Sequence, residues 1–323
     1  MRDLLLAIIV TSPVLLHGPL FNSGVAQHSD AGANRAAPAS LLESMAKEQA
    51  YYDLEEMMRM PDSVKHINLR QRQLLALPSS IGSLKAVRFA NLMKNELTEL
   101  PREIGAWKQI RFLVLKQNKL RSLPAEIRNW TMLEDLDLMD NKLTEIPKQI
   151  AGLKMIKTLD LNKNQIEELP GELCGLNTLV NLDLKFNKLS FLPQNIGRLN
   201  RLEVLNLDEN ALMILPPSIT KLRRLQTLSI ASNRLKELPS DIGSLRGVRY
   251  LALHNNHLTT LPESLTGMRN LETLSLADNQ ISQLPRYLGK LKSLRTLVLT
   301  GNPLNDAEIT RIKRLLPETD VRL

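Results

Sequence analysis

From Val64 to the end of the chain, apolar and polar positions follow a pattern that restarts every 23 residues. One unit reads Leu133-Glu-Asp-Leu136-Asp-Leu138-Met-Asp-Asn141-Lys-Leu143-Thr-Glu-Ile146-Pro147-Lys-Gln-Ile150. Within it, Leu136-Asp137-Leu138 alternates with period two. That predicts a short strand with both leucines on one face and Asp137 on the other. The other apolar positions point into a core that no single unit can close, so neighbouring units must share it. Ten of the 17 prolines, from Pro78 to Pro285, keep the 23-residue spacing with no insertion or deletion. Asn keeps the same spacing from Asn95 to Asn302. A fixed period of this size settles the architecture before any local question is asked.

The shared motif, LxxLxLxxNxLxxLPxxIGxL, resembles the leucine-rich repeat family in its 23-residue bacterial form, over Val64 to Leu323. The resemblance implies an α/β repeat fold. It would be a curved solenoid with one short parallel strand per repeat on the concave face and short helical, 3-10 or irregular segments on the convex face. Eleven strands stacked at about 4.8 Å make a wall roughly 50 Å long. The Asn column reads as structural, because an amide side chain offers both donors and an acceptor to the buried turns beside it. The Pro column fixes φ and gives up an N–H at the next bend, which suits a non-helical outer edge. Arg72 stands where the first repeat would carry its Asn.

The ends divide as follows. Residues 1–26 read as a signal peptide, with an apolar run Leu4 to Leu16 behind Arg2 and small residues Gly24 and Ala26 before a cleavage point. Asp3 and Pro13 weaken that signal, so an uncleaved anchor and a cytosolic chain remain as alternatives. The run is too short to span a bilayer, which takes about 20 apolar residues. Residues 27–39 read as a disordered leader and 40–63 as a helical cap, with N-terminal signals at Ser40/Glu43 and Asp53/Glu56 and a stop at Pro61. The stretch from Tyr51 to Val64 looks like the N-terminal cap of exported repeat proteins expanded in spirochaetes. Repeats occupy 64–301. Residues 302–323 form a second cap, with Ile309, Ile312, Leu315 and Leu316 on one face of a helix ended by Pro317.

Composition narrows the chemistry. With only 11 aromatic residues in 323, Leu must fill the core. A single Cys rules out an internal disulfide. Cys174 stands where other repeats carry Gly and has no His nearby to act as its base. His254 and His257 leave a strand–turn in different directions, so they do not form a metal pair. No phosphate-binding or nucleophile-elbow motif occurs, and no segment is left over for an enzyme domain. The expectation is a monomeric, non-enzymatic chain without metal or cofactor.

A partner would dock on the outward positions of the strands. Phe89, Met93, Phe112, Val114 and Met139 gather there as an apolar patch, which usually marks an interaction site. Beside it, Asp135, Asp137, Asp140, Asp160 and Asp183 form an acidic group able to select a basic partner or a cation, partly neutralised by Lys116, Lys163 and Lys185. The competing readings are that the N-terminal cap hides the apolar patch and that Asp simply suits this strand position. Tyr250 lies on the same face further along.

The net charge is +8, and from Arg198 onward 18 Lys and Arg face 12 Asp and Glu. A basic edge that includes Arg223, Arg224, Arg246 and Lys292 could attract a polyanion such as an acidic polysaccharide, or could simply keep the solenoid soluble. Sequence-specific nucleic-acid reading is not expected, because aromatics for base stacking are missing. The sequence thus points to an exported protein-recognition module at the cell surface, in the periplasm or secreted. A surface polyanion binder and an intracellular scaffold are the alternatives.

Overall fold

The computed structural model describes residues 49–323. The architecture below is that of the compact unit Tyr51–Leu323. The expected signal peptide, leader and Ser40/Glu43 helix start lie outside the described residues. Among the described residues no helix is long and apolar enough to cross a membrane.

Thirteen strands, β1 to β13, form one sheet in chain order. β1 is Ala50–Tyr51 and β2 is His66–Asn68. The repeat strands follow as β3 Phe89–Asn91, β4 Phe112–Val114, β5 Asp135–Asp137, β6 Thr158–Asp160, β7 Asn181–Asp183 and β8 Val204–Asn206. β9 Thr227–Ser229, β10 Tyr250–Ala252, β11 Thr273–Ser275 and β12 Thr296–Val298 complete the series. Every pairing from β2 onward is parallel, and each repeat residue faces the residue 23 positions on, as Leu136 faces Leu159. The middle residue of each of these strands is buried and its neighbours from β3 to β12 are half-buried, the alternation expected of a sheet with one covered face.

A single core runs from Tyr51 to Leu316 and is built mostly of Leu and Ile. The two Trp residues are fully buried on adjacent repeats. Their indole N–H groups donate to the repeat before, Trp107 Nε1 to Ile81 O and Trp130 Nε1 to Ile104 O, both at 3.1 Å. The Asn column is a ladder between repeats. Asn164 Nδ2 donates to Leu138 O and Leu161 O, each at 3.0 Å, and its Oδ1 accepts from Leu143 N at 3.0 Å. Without it the buried Leu143 N–H would have no partner, while each carbonyl is shared with the Asn of an adjacent repeat, Leu138 O with Asn141 and Leu161 O with Asn187. At the first repeat, the N–H of Arg72 donates to Asn95 Oδ1 at 2.9 Å, so a terminal coil needs no Asn of its own.

Three features fill in the sequence reading: the first realises the 3-10 segments that the resemblance implied, against the non-helical edge suggested by the Pro column alone, and the other two add to it. The outer edge is helical: each Pro column residue precedes a short 3-10 turn such as Lys148–Gly152. Pro147 has φ −67° and ψ 146°, and its carbonyl accepts from Ile150 N at 2.9 Å. A locked φ with a free carbonyl therefore starts a turn here instead of forbidding one. Second, the residue directly ahead of each Asn has a left-handed backbone, from Lys94 (φ 57°) to Asp278 (φ 53°), although none of these is Gly. Only Gly301, at φ 78°, is of the permissive type. The conformation is held because the N–H continues the ladder, as Asp140 N donates to Asn162 O at 2.8 Å. Third, the chain ends in a strand, β13 (Asp320–Arg322), paired in parallel with β12.

Both ends of this unit carry a helix. α1 (Leu54–Arg59) starts at Asp53, whose Oδ1 accepts from Glu55 N at 2.8 Å and Glu56 N at 3.0 Å. It buries Met57, with Leu54 and Met58 packed at the margin. α2 (Asp306–Leu315) starts at Asn305 and buries Ile312. Glu308, buried in α2, accepts from Leu284 N at 2.8 Å and from Arg311 Nη2 at 2.6 Å, while Arg311 also donates to Leu284 O at 2.8 Å. This paired and hydrogen-bonded charge fixes the helix to the repeat beneath it.

Candidate functional site: the outward face of the sheet

The sheet face opposite the core collects one residue of each type at strand spacing. Phe89 pairs in register with Phe112, and Phe112 with Asp135. On the next position Asn91 faces Val114, and Val114 faces Asp137. Asp137, Asp160 and Asp183 then stand side by side on β5, β6 and β7. The apolar and acidic groups therefore meet at the β4–β5 seam and form one surface. Phe89, Met93, Phe112, Val114 and Met139 are half-buried, with a flank available and a body packed between neighbours. Tyr250 is on the same face but six strands from Phe112, roughly 29 Å along the stack, and does not join the patch.

The acidic group differs in membership from the expectation. Asp140 occupies the left-handed turn position and is exposed, away from the strand row. Lys163 occupies the same turn position one repeat on, with its Nζ 5.9 Å from the centre of the Phe186 ring. Counting sets both on the face, and in the structure both stand at the left-handed position just past the strand. Asp208 belongs to the group instead: its Oδ1 accepts from Ser229 Oγ at 2.6 Å and Ala231 N at 2.7 Å. A sequence signal for Asp208 existed, since it continues the column of Lys116, Met139 and Lys185.

Part of the Asp preference is local. Asp137, Asp160 and Asp183 each accept the N–H two residues on, at 3.0, 2.9 and 2.9 Å, which closes the turn leaving the strand. One oxygen of each carboxylate is thus used by the backbone. The remaining negative charge is crowded. Burial, then the neighbouring Asp160, pushes Asp137 up to about 7 and both Asp135 and Asp183 up to about 6. Burial also raises Asp160 and Asp208. Lys116 and Lys185 oppose the shift without cancelling it. On the same face the buried oxygens Asn162 Oδ1 and Asn181 Oδ1 have no hydrogen-bond donor among the described residues. Around β6 and β7 acceptors therefore exceed donors, whereas at the first repeat the buried Arg70 Nε is a donor with no acceptor among the described residues.

Among the described residues no group of three or more His, Cys, Asp or Glu side chains is placed to hold a metal ion. The row of carboxylates is spread across parallel strands instead of converging on a point. Cys174 is fully buried, and burial pushes its thiol up to about 11, a poor setting for a nucleophile. Of the basic edge, Arg223, Arg224, Arg246 and Lys292 are exposed. Arg249, on the same edge, is tied to Glu272 at 2.6 Å.

A parallel sheet built one strand per coil, an Asn ladder and an open outward face define a repeat solenoid. Residues 135–210 and 193–297 match the family model described as the leucine-rich repeat region, and the chain belongs to the leucine-rich repeat family. Among curated proteins, none matched the chain. Among solved structures, it is similar to the plant peptide hormone receptor RGFR1 in complex with RGF2, with 28% identity, a TM-score of 0.70 and coverage of 85% of this chain and 45% of the receptor chain. It thus spans less than half the length of that receptor chain. It is also similar to a chain of the octameric complex of Latrophilin 3, Unc5D and FLRT2 (LRR), at 25% identity over 81% of this chain and 84% of that one, with a TM-score of 0.69. An internalin from Listeria monocytogenes shares the fold at 19% identity, with a TM-score of 0.60 over 85% of this chain and 84% of the internalin.

Proposed function

We propose that the chain is an exported, non-enzymatic recognition module whose sheet face takes a protein partner. The partner sets an apolar anchor against Phe89, Phe112 and Val114 and a basic side chain against Asp137, Asp160 and Asp183. The observation that carries this reading is the seam at β4–β5, where a half-buried aromatic pair adjoins crowded carboxylates and unsatisfied amide oxygens. An incoming Lys or Arg supplies the donors that the face lacks and relieves like-charge repulsion. Apolar anchors beside such a pair are the usual centre of an interface. The peptide-hormone receptor and the FLRT2 assembly support the reading, since both are described as complexes.

The test is a cross-linked pull-down from the native setting that compares the unaltered protein with Phe89→Ala/Phe112→Ala. Loss of capture by a folded double variant is expected, and unchanged capture refutes the reading. Export is tested by sequencing the N-terminus of the mature protein. A chain starting at Gln27 is expected, and an intact Met1 in the soluble fraction favours the intracellular scaffold instead.

A further inference from the structure

The last repeats carry a groove on an edge that the sheet-face reading does not use. Four residues ahead of β9, β10, β11 and β12 stand Arg223, Arg246, Arg269 and Lys292, all exposed. Among the described residues none of these four side chains has an ion-pair or hydrogen-bond partner. One row closer to the sheet Arg249 is paired with Glu272, and Gln226 Nε2 donates to Glu203 Oε2 at 3.3 Å. Between the two rows the residue is small or short in three successive repeats, Gly247, Asn270 and Ser293. No earlier run of three is short, since the position carries Gln109, Met132, Met155, Arg201 and Arg224 with short residues only at Ala86 and Thr178 among repeats from β3 to β9. Each of the four cations directly precedes a residue that lines a groove of about 520 Å³, whose lining is Glu203, Arg224, Gln226, Gly247, Arg249, Asn270, Glu272 and Ser293.

We infer that this groove binds a linear acidic polysaccharide. The four cations recur at the strand spacing and span about 15 Å, the geometry of a ligand with regularly repeated charge. Carboxylate or sulfate groups face the exposed cation row, while Gln226, Asn270, Glu272 and Ser293 in the groove offer the mixed donors and acceptors that sugar hydroxyls require. Nucleic acid fits less well, because no aromatic ring lines the groove for a base to stack on. Because the groove lies on the turns leading into the strands, it can be filled while the sheet face holds a protein. Failure of either proposal leaves the other standing.

The test uses fluorescence anisotropy of the full chain with a labelled heparin octasaccharide, a neutral dextran oligomer of equal length and an oligothymidylate. Binding of the heparin probe is expected, with affinity falling about tenfold or more between about 50 and 200 mM salt, as for other polyanions. Arg223→Glu/Arg246→Glu/Lys292→Glu should weaken it by a further factor of about ten. Ser293→Trp fills the groove without changing charge and should weaken it to a similar degree. Lys85→Glu/Lys108→Glu/Lys154→Glu, at the same position in early repeats, should leave it unchanged. Far-UV circular dichroism confirms that each variant is folded. If the triple variant of the late repeats does not fold, Ser293→Trp alone decides. Unchanged binding by folded Ser293→Trp, equal loss in the early-repeat variant, or tighter binding of oligothymidylate overturns the inference.

Discussion

Replacing Asp137 by Asn should stabilise the protein, and only on the alkaline side of its titration. An unfolded Asp titrates near 3.8, whereas burial and the Asp160 charge hold Asp137 near 7 in the folded chain. The folded state therefore keeps more protons than the unfolded state between those values. Stability falls as pH rises through that window and levels off above it. A shift of about three units, at about 1.4 kcal/mol each, sets a ceiling of about 4 kcal/mol on the penalty from this one charge. Relaxation of the face and water entry reduce that, so a gain of about 2 kcal/mol is expected for Asp137→Asn at about pH 8. Asn keeps the oxygen that accepts from Met139 N at 3.0 Å, so the turn is not disturbed. At about pH 4 the native carboxyl is already neutral and the gain should nearly vanish. Urea unfolding followed by circular dichroism at both pH values measures the difference. A gain of equal size at both, or a loss at the higher pH, refutes the account of the crowded row.

Other outcomes follow from single residues. Asn164→Ala strands Leu143 N–H in the interior and removes one of the two Asn donors from each of Leu138 O and Leu161 O, so a loss of about 2 kcal/mol in the same unfolding assay is expected. Lys94→Gly removes a left-handed non-Gly residue (φ 57°) and should raise stability by about 0.5–1 kcal/mol, visible as a higher urea midpoint. Cys174 should resist Ellman's reagent at neutral pH until the chain unfolds, since its thiol is buried and shifted to about 11. Rapid labelling in native buffer would contradict its placement.

The 23-residue period, the LxL strands and the Asn column were legible because a repeat fold depends on nearest neighbours. Each coil meets a near copy of itself, so a position's role in one coil is its role in all. Asp53 as a helix start and the apolar face of α2 were also readable, since caps rely on local bonding. The aromatic pair Phe89–Phe112 and the Asp137–Asp160–Asp183 row followed from counting strand positions.

What the order of residues did not show depended on backbone geometry or on contacts between coils. The left-handed residue ahead of each Asn has no Gly signature, because the ladder bond holds Lys, Asp, Phe or Glu there equally well. Asp140 and Lys163 both stand at that left-handed position. The Glu308–Arg311–Leu284 staple and the β12–β13 pairing join α2 and the C-terminal strand to the last coil across segments whose sequence has no repeat to copy. The groove beside Gly247, Asn270 and Ser293 arises only where three short side chains stack, and three successive coils must be seen together to reveal it. Periodicity fixed which residues form the solenoid, while the stacking of unlike side chains across coils decided what its surfaces can hold.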